Sequence, residues 1–435
     1  MSRYLSILFL SNFLAIASLL AFEPLYERAP IYYHETEADT NLTRLLAKAE
    51  SGGPLARGTD REILANLLRA LEVPIESQVL VFSKTSEQNS RISPQTPRAI
   101  YFSDNTYVGW VQGGEIEVAS FDRKLGLVFH LVELSSREED HPPKLTRARS
   151  CLNCHAGSSN QNLPGLMVRS VYPAETGQPL FQAGTFHTRQ DSPIEERWGG
   201  WYVTGSVDES THLGNQFAQG DRSGNEVTLH SLSETNLTTL DGIVNAEPYL
   251  HGGQSDAVAL MVLEHQVGVH NALIEANLTT RTTLHRHAEM QKAFGEPVDG
   301  PLSETNRRIL DNMAERVLKQ ILYVDEFVLP GGVEGSESFQ EGFQRNERKS
   351  TAGRSLKDFR LYERLMKYRC SHLIYSDAFD QLPDEIRVAV LDRLHGILTE
   401  PASHPDFGHL SPSEREHIFE IISETLPRLS PAWGN

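Results

Sequence analysis

The chain has 435 residues, of which 39% are hydrophobic and 23% are charged, and its formal net charge is -18. This composition is that of an ordinary globular protein, and the length allows one large domain or two to three smaller ones. The negative charge argues against nucleic acid and anionic membrane surfaces as partners, and it suits a basic partner protein.

The first 21 residues predict an export signal, with Arg3 as its positive start, an apolar stretch over 5–20 and Ala21 as a possible cleavage residue. An uncleaved anchor is the alternative, but the stretch is shorter than the roughly 20 residues that span a bilayer comfortably. We therefore expect cleavage, a periplasmic or otherwise exported protein, and no integral membrane segment in the mature chain.

Residues 22–250 predict a β-rich region. A helix over 41–50 and a second one that begins at the capping box Thr59–Glu62 come first, and period-two alternation of apolar residues follows. Turn residues separate the alternating segments, which indicates an antiparallel sheet of hairpins. The predicted strands are 78–82, 99–102, 106–111, 116–119 and 127–132, and later 166–171, 180–183 and 201–204.

Within this region the run Cys151-Leu152-Asn153-Cys154-His155 has the C-x-x-C-H pattern of covalent c-type haem attachment. On a helical turn the positions i, i+3 and i+4 share one face, so Cys151, Cys154 and His155 can address the same ligand. The two thiols would add to the haem vinyl groups, and His155 would bind the iron. The motif thus predicts one covalent haem c with its iron.

Two alternatives stay open for the cysteine pair. A thioredoxin-like redox disulfide leaves the histidine without a role, and a zinc site needs four ligands although the sequence has no second cysteine pair. Export favours haem, because c-type haem is attached outside the cytoplasm. Cys370, the third cysteine, is expected to be a small buried residue, with a reactive thiol or a ligand as the alternative.

The surroundings of the iron are predicted only in part. The carbonyl of Pro164 is a candidate acceptor for the second ring N–H of His155, although a plain turn there is equally expected. Aromatic residues in 197–203 could pack on the porphyrin and Arg197 could meet a propionate, with strand packing and a surface arginine as the alternative. The weak candidates for the distal axial ligand are Met167, His212, Met261 and His265, each with an ordinary core or loop role as the alternative.

Residues 251–435 predict a helical region. The first helix begins near Ser255 as its N-cap and is apolar on two sides, which is typical of a buried helix. Gly- and Glu-rich residues over 331–350 predict a linker. The other predicted helices are 303–323, 356–368, 383–398 and 412–426.

The motif, the run Leu163-Pro164-Gly165 and the segments 97–102, 107–110 and 197–203 together resemble exported mono-haem proteins of environmental bacteria that are described as cytochrome c domain-containing. The resemblance implies covalent haem on Cys151 and Cys154 with His155 as iron ligand, and it implies no substrate. The chain departs from small cytochromes c, because its motif lies about a third of the way along, and it lacks the second haem motif of di-haem peroxidases.

We therefore predict an α+β fold, with a β-rich N-terminal half that carries the haem and a helical C-terminal half. The predicted function is one-electron transfer with a redox partner protein in the periplasm. The alternative is a haem peroxidase-like oxidoreductase acting on peroxide or a small substrate, and a haem-based sensor is a third, weaker reading. No catalytic residue is predicted.

Overall fold

The computed structural model describes residues 23–48, 53, 55, 58–134, 143–207, 211–220, 227–232 and 236–434. The predicted export signal lies outside the described residues. An antiparallel, sheet-rich first half and a helical second half confirm the predicted α+β class.

A six-stranded antiparallel sheet forms the centre of the first half, and each strand pairs with its neighbour in sequence. The alternation of apolar residues predicted five of these strands, while the last and more exposed one was missed. The strands are β1 (Val79–Val81), β2 (Arg98–Phe102), β3 (Thr106–Trp110), β4 (Ile116–Asp122), β5 (Gly126–Glu133) and β6 (Lys144–Arg147).

Both faces of this sheet are buried. On one face Tyr101 pairs in register with Val108, and the side chains pack against α1 (Asn41–Lys48) and α2 (Asp60–Ala70). Helix α2 begins with the predicted capping box, in which Thr59 and Glu62 satisfy each other's backbone N–H groups. The opposite face contributes to a second hydrophobic core, which also contains residues of the long helix described next.

Helix α4 (Ala257–Phe294) has 38 residues and connects the sheet to the helical half. Its N-cap is Asp256, whose carboxylate accepts the Ala259 N–H at 2.9 Å, so the predicted cap at Ser255 is one residue off. Ser255 instead donates to the Tyr202 carbonyl at 2.6 Å. By length and composition α4 could cross a membrane, but 89% of its apolar window is buried inside the protein, as in a core helix.

The helical half packs around its own hydrophobic core, which includes one side of α4. Cys370 is buried there, as expected. The short helix α3 (Leu152–His155) belongs to the first half. The other helices are α5 (Glu304–Ile321), α6 (Glu337–Gln344), α7 (Asp377–Asp380), α8 (Asp384–Thr399) and α9 (Pro412–Thr425).

Four predicted elements are wrong. The predicted linker over 331–350 contains helix α6 (Glu337–Gln344), which forms because Phe339 and Phe343 on one of its faces are buried in the core. The segment 356–368 forms a hairpin of β13 (Phe359–Tyr362) and β14 (Arg364–Met366), because its residues alternate between half-buried and exposed as in a strand. The segment 180–183 forms a 3₁₀ turn, and 201–204 makes only isolated bridges. The remaining strand pairs are β7 (Val168–Val171) with β8 (Thr185–Thr188), β9 (Ser206–Val207) with β12 (Val333–Glu334), and β10 (Gln216–Gly220) with β11 (Val227–Ser231).

Candidate functional site

The cysteine-histidine motif is helical, as its spacing requires. A 3₁₀ turn over Arg149–Cys151 runs directly into α3 (Leu152–His155), so the motif forms one continuous helical segment. Leu152 is buried in the core between the sheet and α4, and this contact anchors the segment. Cys151 is half-buried, Cys154 is exposed, and both thiols are free.

The imidazole of His155 is held in one tautomer. Its Nδ1 lies 2.8 Å from the carbonyl oxygen of Gly165, so Nδ1 carries the proton and donates it. The acceptor is therefore one residue beyond Pro164, the residue that we expected. Burial lowers the pKa of His155, although the hydrogen bond to Gly165 acts in the opposite direction, so the ring is neutral. Within the described ranges Nε2 has no hydrogen-bond partner, and its lone pair is available to a metal.

A double clamp holds the loop that carries the acceptor. The Gly165 N–H donates to the His155 carbonyl at 2.9 Å, and Asn160 Nδ2 donates to the same oxygen at 3.0 Å. On the next residue, Asn271 of α4 accepts the Leu166 N–H and donates to the Leu166 carbonyl, both at 2.9 Å. Because α4 fixes this loop, it also fixes the orientation of the imidazole.

Only glycine fits at position 165. A Cβ atom there would lie 2.6 Å from Oδ1 of Asn271 and 3.2 Å from Nδ2 of Asn160. Both of these amide groups are already engaged in the clamp, so neither can move away without breaking a hydrogen bond. Gly165 is therefore needed for close packing of the loop against α4.

A cleft lies beside the motif, between β2–β5 of the sheet and α4. Its cavity volume is about 100 Å³, and about 650 Å³ is free of protein atoms when its open mouth is included. Pockets for drug-sized ligands measure roughly 300–1,000 Å³, so a porphyrin would have to occupy the mouth as well as the interior. The motif contributes Cys151 and His155 to the lining, which is largely apolar and includes Phe129, Trp201, Leu263 and Val267.

One ion pair crosses the cleft wall. Arg98 of β2 and Glu117 of β4 meet above Gly109 of β3, where a Cβ atom would lie 2.6 Å from an Arg98 nitrogen. Burial raises the pKa of Glu117, but Arg98 and two neighbouring hydrogen bonds outweigh it, so the carboxyl group is ionised. In the described part of the chain, Nε of Arg98 is buried and has no partner. An anionic group entering the cleft could bind to it.

The thiol of Cys151 stays protonated at neutral pH. Burial, together with the charges of Glu117 and Glu87, raises its pKa to about 12. Redox-active and zinc-binding cysteines act as thiolates and lie in surroundings that lower the pKa. Among the described residues, no group of three histidines, cysteines or acids could hold a metal ion. The raised pKa counts against the thioredoxin-like and zinc alternatives, because both need a thiolate at Cys151.

The four candidates for the distal ligand lie in different places. Met167 lines the cleft, whereas the other three are absent from its lining. His212 is buried with its ring 5.1 Å from the Trp198 ring, so the expected exposed loop histidine is wrong. Met261 lies on α4 and is buried in the core between the sheet and this helix. His265 bonds through both ring nitrogens, to Gln190 at 2.7 Å and Ser371 at 2.8 Å, which is the core role given as its alternative.

Both predicted roles of Arg197 are wrong. Its side chain is 1% exposed and pairs with Glu264 of α4, whose side chain is fully buried, at 2.8 Å. The same guanidinium donates to the carbonyls of Gln190 and Ser192 at 3.0 and 2.7 Å. The group is therefore neither on the surface nor free to meet a propionate, and it joins the segment after β8 to α4.

Three residues of the site were not distinguished by the sequence. Tyr107 lines the cleft, and its hydroxyl lies 2.6 Å from Nδ1 of His270 on α4. His130 of β5 also lines the cleft, and burial, aided by Arg147, lowers its pKa to about 4. The period-two pattern placed Tyr107 and His130 in strands. It carried no signal about the helix that covers this face of the sheet.

Comparison with known proteins adds no relative: no protein-family model, no curated protein and no solved structure matches this chain.

Proposed function

We propose that the chain is an exported c-type cytochrome that carries one covalent haem and transfers single electrons to or from a periplasmic redox partner. One observation gives the proposal its main support. His155 is neutral, its Nδ1 is held by the Gly165 carbonyl at 2.8 Å, and its Nε2 is left free beside an apolar cleft that it shares with Cys151. This is the arrangement expected of a haem-ligating imidazole.

Each residue of the site has a role in this proposal. Cys151 and Cys154 are free thiols that would hold the haem through thioether links, and His155 would bind its iron. Met167, which lines the same cleft, would be the second side chain that binds the iron. Arg98 has a buried Nε without a partner in the described residues and is the proposed contact for a propionate. When bound, the haem supplies a one-electron iron couple.

The residues around the motif tune that couple. The Gly165 carbonyl polarises the imidazole and fixes its ring plane, which sets the basicity of Nε2. A basic Nε2 favours the ferric state and so lowers the reduction potential. The apolar lining of the cleft raises the potential, because a low-dielectric wall disfavours the more highly charged ferric state. The net charge of -18 favours a basic redox partner, whose association would slow steeply with added salt.

A second candidate function is a haem-dependent oxidoreductase that acts on peroxide or a small substrate. The pair of Tyr107 and His270 favours it, because an imidazole at 2.6 Å holds the Tyr107 hydroxyl in place on the cleft wall, where a substrate could form a hydrogen bond with it. Burial raises the pKa of Tyr107 and lowers the pKa of His270 to about 3, so both groups stay neutral. Electron transfer alone does not require such a pair. The two candidates differ in whether a second side chain or a substrate would bind the iron together with His155.

The haem is tested by producing the full chain in a host that matures c-type cytochromes. We expect a coloured protein whose denatured mass includes one haem. The double variant Cys151→Ala/Cys154→Ala should lose the covalent mass, because either cysteine alone could still form one thioether link. The matched control Cys370→Ala, at the buried third cysteine, should keep that mass. A colourless wild-type protein without the added mass would refute the proposal.

Axial ligation separates the two candidates. The carrier requires a six-coordinate, low-spin iron that is inert to peroxide, and Met167→Ala should open it to cyanide. Met261→Ala, which removes a buried methionine away from the cleft lining, is the control and should leave the absorption spectrum unchanged. A wild-type iron that is high-spin and consumes peroxide, at a rate reduced by Tyr107→Phe, would instead favour the oxidoreductase.

A further inference from the structure

The hairpin of β7 and β8 presents arginine and aromatic side chains to solvent. Arg169 of β7 lies directly opposite His187 of β8, so both side chains are on the same face of the hairpin. In the loop that joins the two strands Phe181 is 49% exposed, and the guanidinium of Arg169 lies 4.8 Å above its ring. Arg189, just beyond β8, is 56% exposed. We call these four residues the hairpin face.

The charge of the hairpin face has the opposite sign to that of the whole chain. The formal net charge is -18, yet residues 143–174, which include the motif and β7, contain four basic residues and no acidic one. Among the described residues Arg169 forms no ion pair, and the acid paired with Arg189 is Asp191, at 3.9 Å. Partial desolvation, with the charges of both arginines, lowers the pKa of His187, so its ring is neutral and the two guanidinium groups supply the charge.

The hairpin face lies directly beside the cleft. Met167 and Trp201 line the cleft, and the Trp201 indole N–H donates to the Arg169 carbonyl at 2.8 Å. Met167 and Arg169 are two positions apart, so their Cα atoms are separated by at most about 7 Å. On its other side the face reaches the loop that holds His155, because Arg189 lines the same groove as that loop. A protein bound to the hairpin face would therefore lie next to the proposed haem site.

The side chains of the hairpin face define the chemistry of the partner. Arginine and large aromatic residues contribute most of the binding energy at protein interfaces. A guanidinium binds a carboxylate through two parallel hydrogen bonds, so Arg169 and Arg189 fit acidic side chains, while the exposed ring of Phe181 fits an apolar one. The face is small, and weak electron-transfer encounters bury less than about 1,200 Å² in total. It therefore suits a transient partner rather than a permanent subunit.

We propose that the hairpin face docks a protein with an acidic surface, whose carboxylates bind Arg169 and Arg189 and whose apolar side chain covers Phe181. An electron carrier needs two partners, a donor and an acceptor. The total charge favours a basic protein for one of them, and the hairpin face selects an acidic protein for the other. The role of the acidic partner in electron transfer rests on the proposed function, whereas its binding to the hairpin face does not.

The test is titration calorimetry of the purified full chain with a peptide in which four glutamates stand on each side of one leucine. We expect a dissociation constant of about 1 mM or below at low salt, as for a weak encounter, and a loss of affinity when salt is added. A peptide with serines in place of the glutamates should bind at least about tenfold more weakly, because it lacks the carboxylates. Equal binding of the two peptides, or no binding of the glutamate peptide up to about 10 mM, would overturn the proposal.

Variants assign the binding to the hairpin face. Arg169→Gln/Arg189→Gln should weaken binding of the glutamate peptide at least about tenfold, and Phe181→Ser, which changes no charge, should weaken it about threefold or more. The matched control is Arg345→Gln/Arg428→Gln, which removes two arginines that are 60% and 51% exposed and lie outside the face. Because both double variants change the total charge equally, an equal loss in the two would refute the assignment. Unchanged binding in the hairpin variants would refute it as well.

The peptide titration and the haem test fail separately. A colourless protein that binds the glutamate peptide through the hairpin face would refute the proposed function and support the docking face. A protein that carries haem and does not bind the peptide would support the proposed function and overturn the docking face.

Discussion

Asn271→Ala removes the clamp between α4 and the loop that holds His155. Two hydrogen bonds to Leu166 are lost, and the freed backbone groups lie in a residue that is only 6% exposed. Each bond contributes about 1 kcal/mol net, and an unsatisfied buried group costs about 1–3 kcal/mol. We therefore expect the free energy of unfolding to fall by about 2–4 kcal/mol, as measured by urea denaturation.

The same substitution should also change the iron site. The acceptor at Gly165 is no longer fixed, so the hydrogen bond from Nδ1 of His155 weakens and the imidazole becomes a poorer donor. Ferric iron loses more stabilisation than ferrous iron, and the reduction potential should rise. A loss of about 1 kcal/mol corresponds to roughly 40 mV, since 59 mV is a tenfold change for one electron. Potentiometric titration of the absorption spectrum measures this shift.

Asn277→Ala is the control on the same helix. Asn277 also makes two hydrogen bonds, to the Arg123 carbonyl at 3.1 Å and from Arg281 at 2.7 Å, but it does not touch the loop of His155. It should lower stability by a similar amount and leave the potential unchanged. If the two variants shifted the potential equally, the clamp would not be what orients the imidazole, and the reasoning would fail.

Three further predictions concern other charged and titratable groups. Arg197→Met leaves the buried carboxylate of Glu264 unpaired and should cost about 3–5 kcal/mol in urea unfolding, most of which the double variant with Glu264→Gln should restore. The pKa of His130 is about 4 in the folded state, against about 6.5 unfolded, so the unfolded chain binds the extra proton as the pH falls below 6.5. Stability should therefore fall by about 2 kcal/mol between pH 7 and pH 5 through this residue, and His130→Asn should flatten the profile by that amount. In protein made without haem, iodoacetamide at pH 8 should alkylate the exposed Cys154 well before Cys151, because the raised pKa of Cys151 keeps it a thiol. Peptide mass mapping measures the two rates, and equal rates would contradict the raised pKa.

Local patterns in the sequence determined much of the framework. The capping box at Thr59–Glu62, the alternation in β2–β5 and the apolar periodicity of α4 each follow from interactions between residues close in the chain. The helical turn of Cys151–His155 also follows from residues that are close in the chain. The hairpin in 356–368 was misread as a helix, because a short apolar run supports either period until its packing partners are known.

Only the tertiary structure decided how the site is assembled. Asn271 meets Leu166 across 105 positions, Arg197 meets Glu264 across 67, and Tyr107 meets His270 across 163. Each contact depends on which face of α4 turns towards the sheet, and this is settled by the packing of the whole core. The chemistry of the motif could thus be predicted from five consecutive residues. Its acceptor, its cleft and its charged neighbours could not, because distant segments supply them.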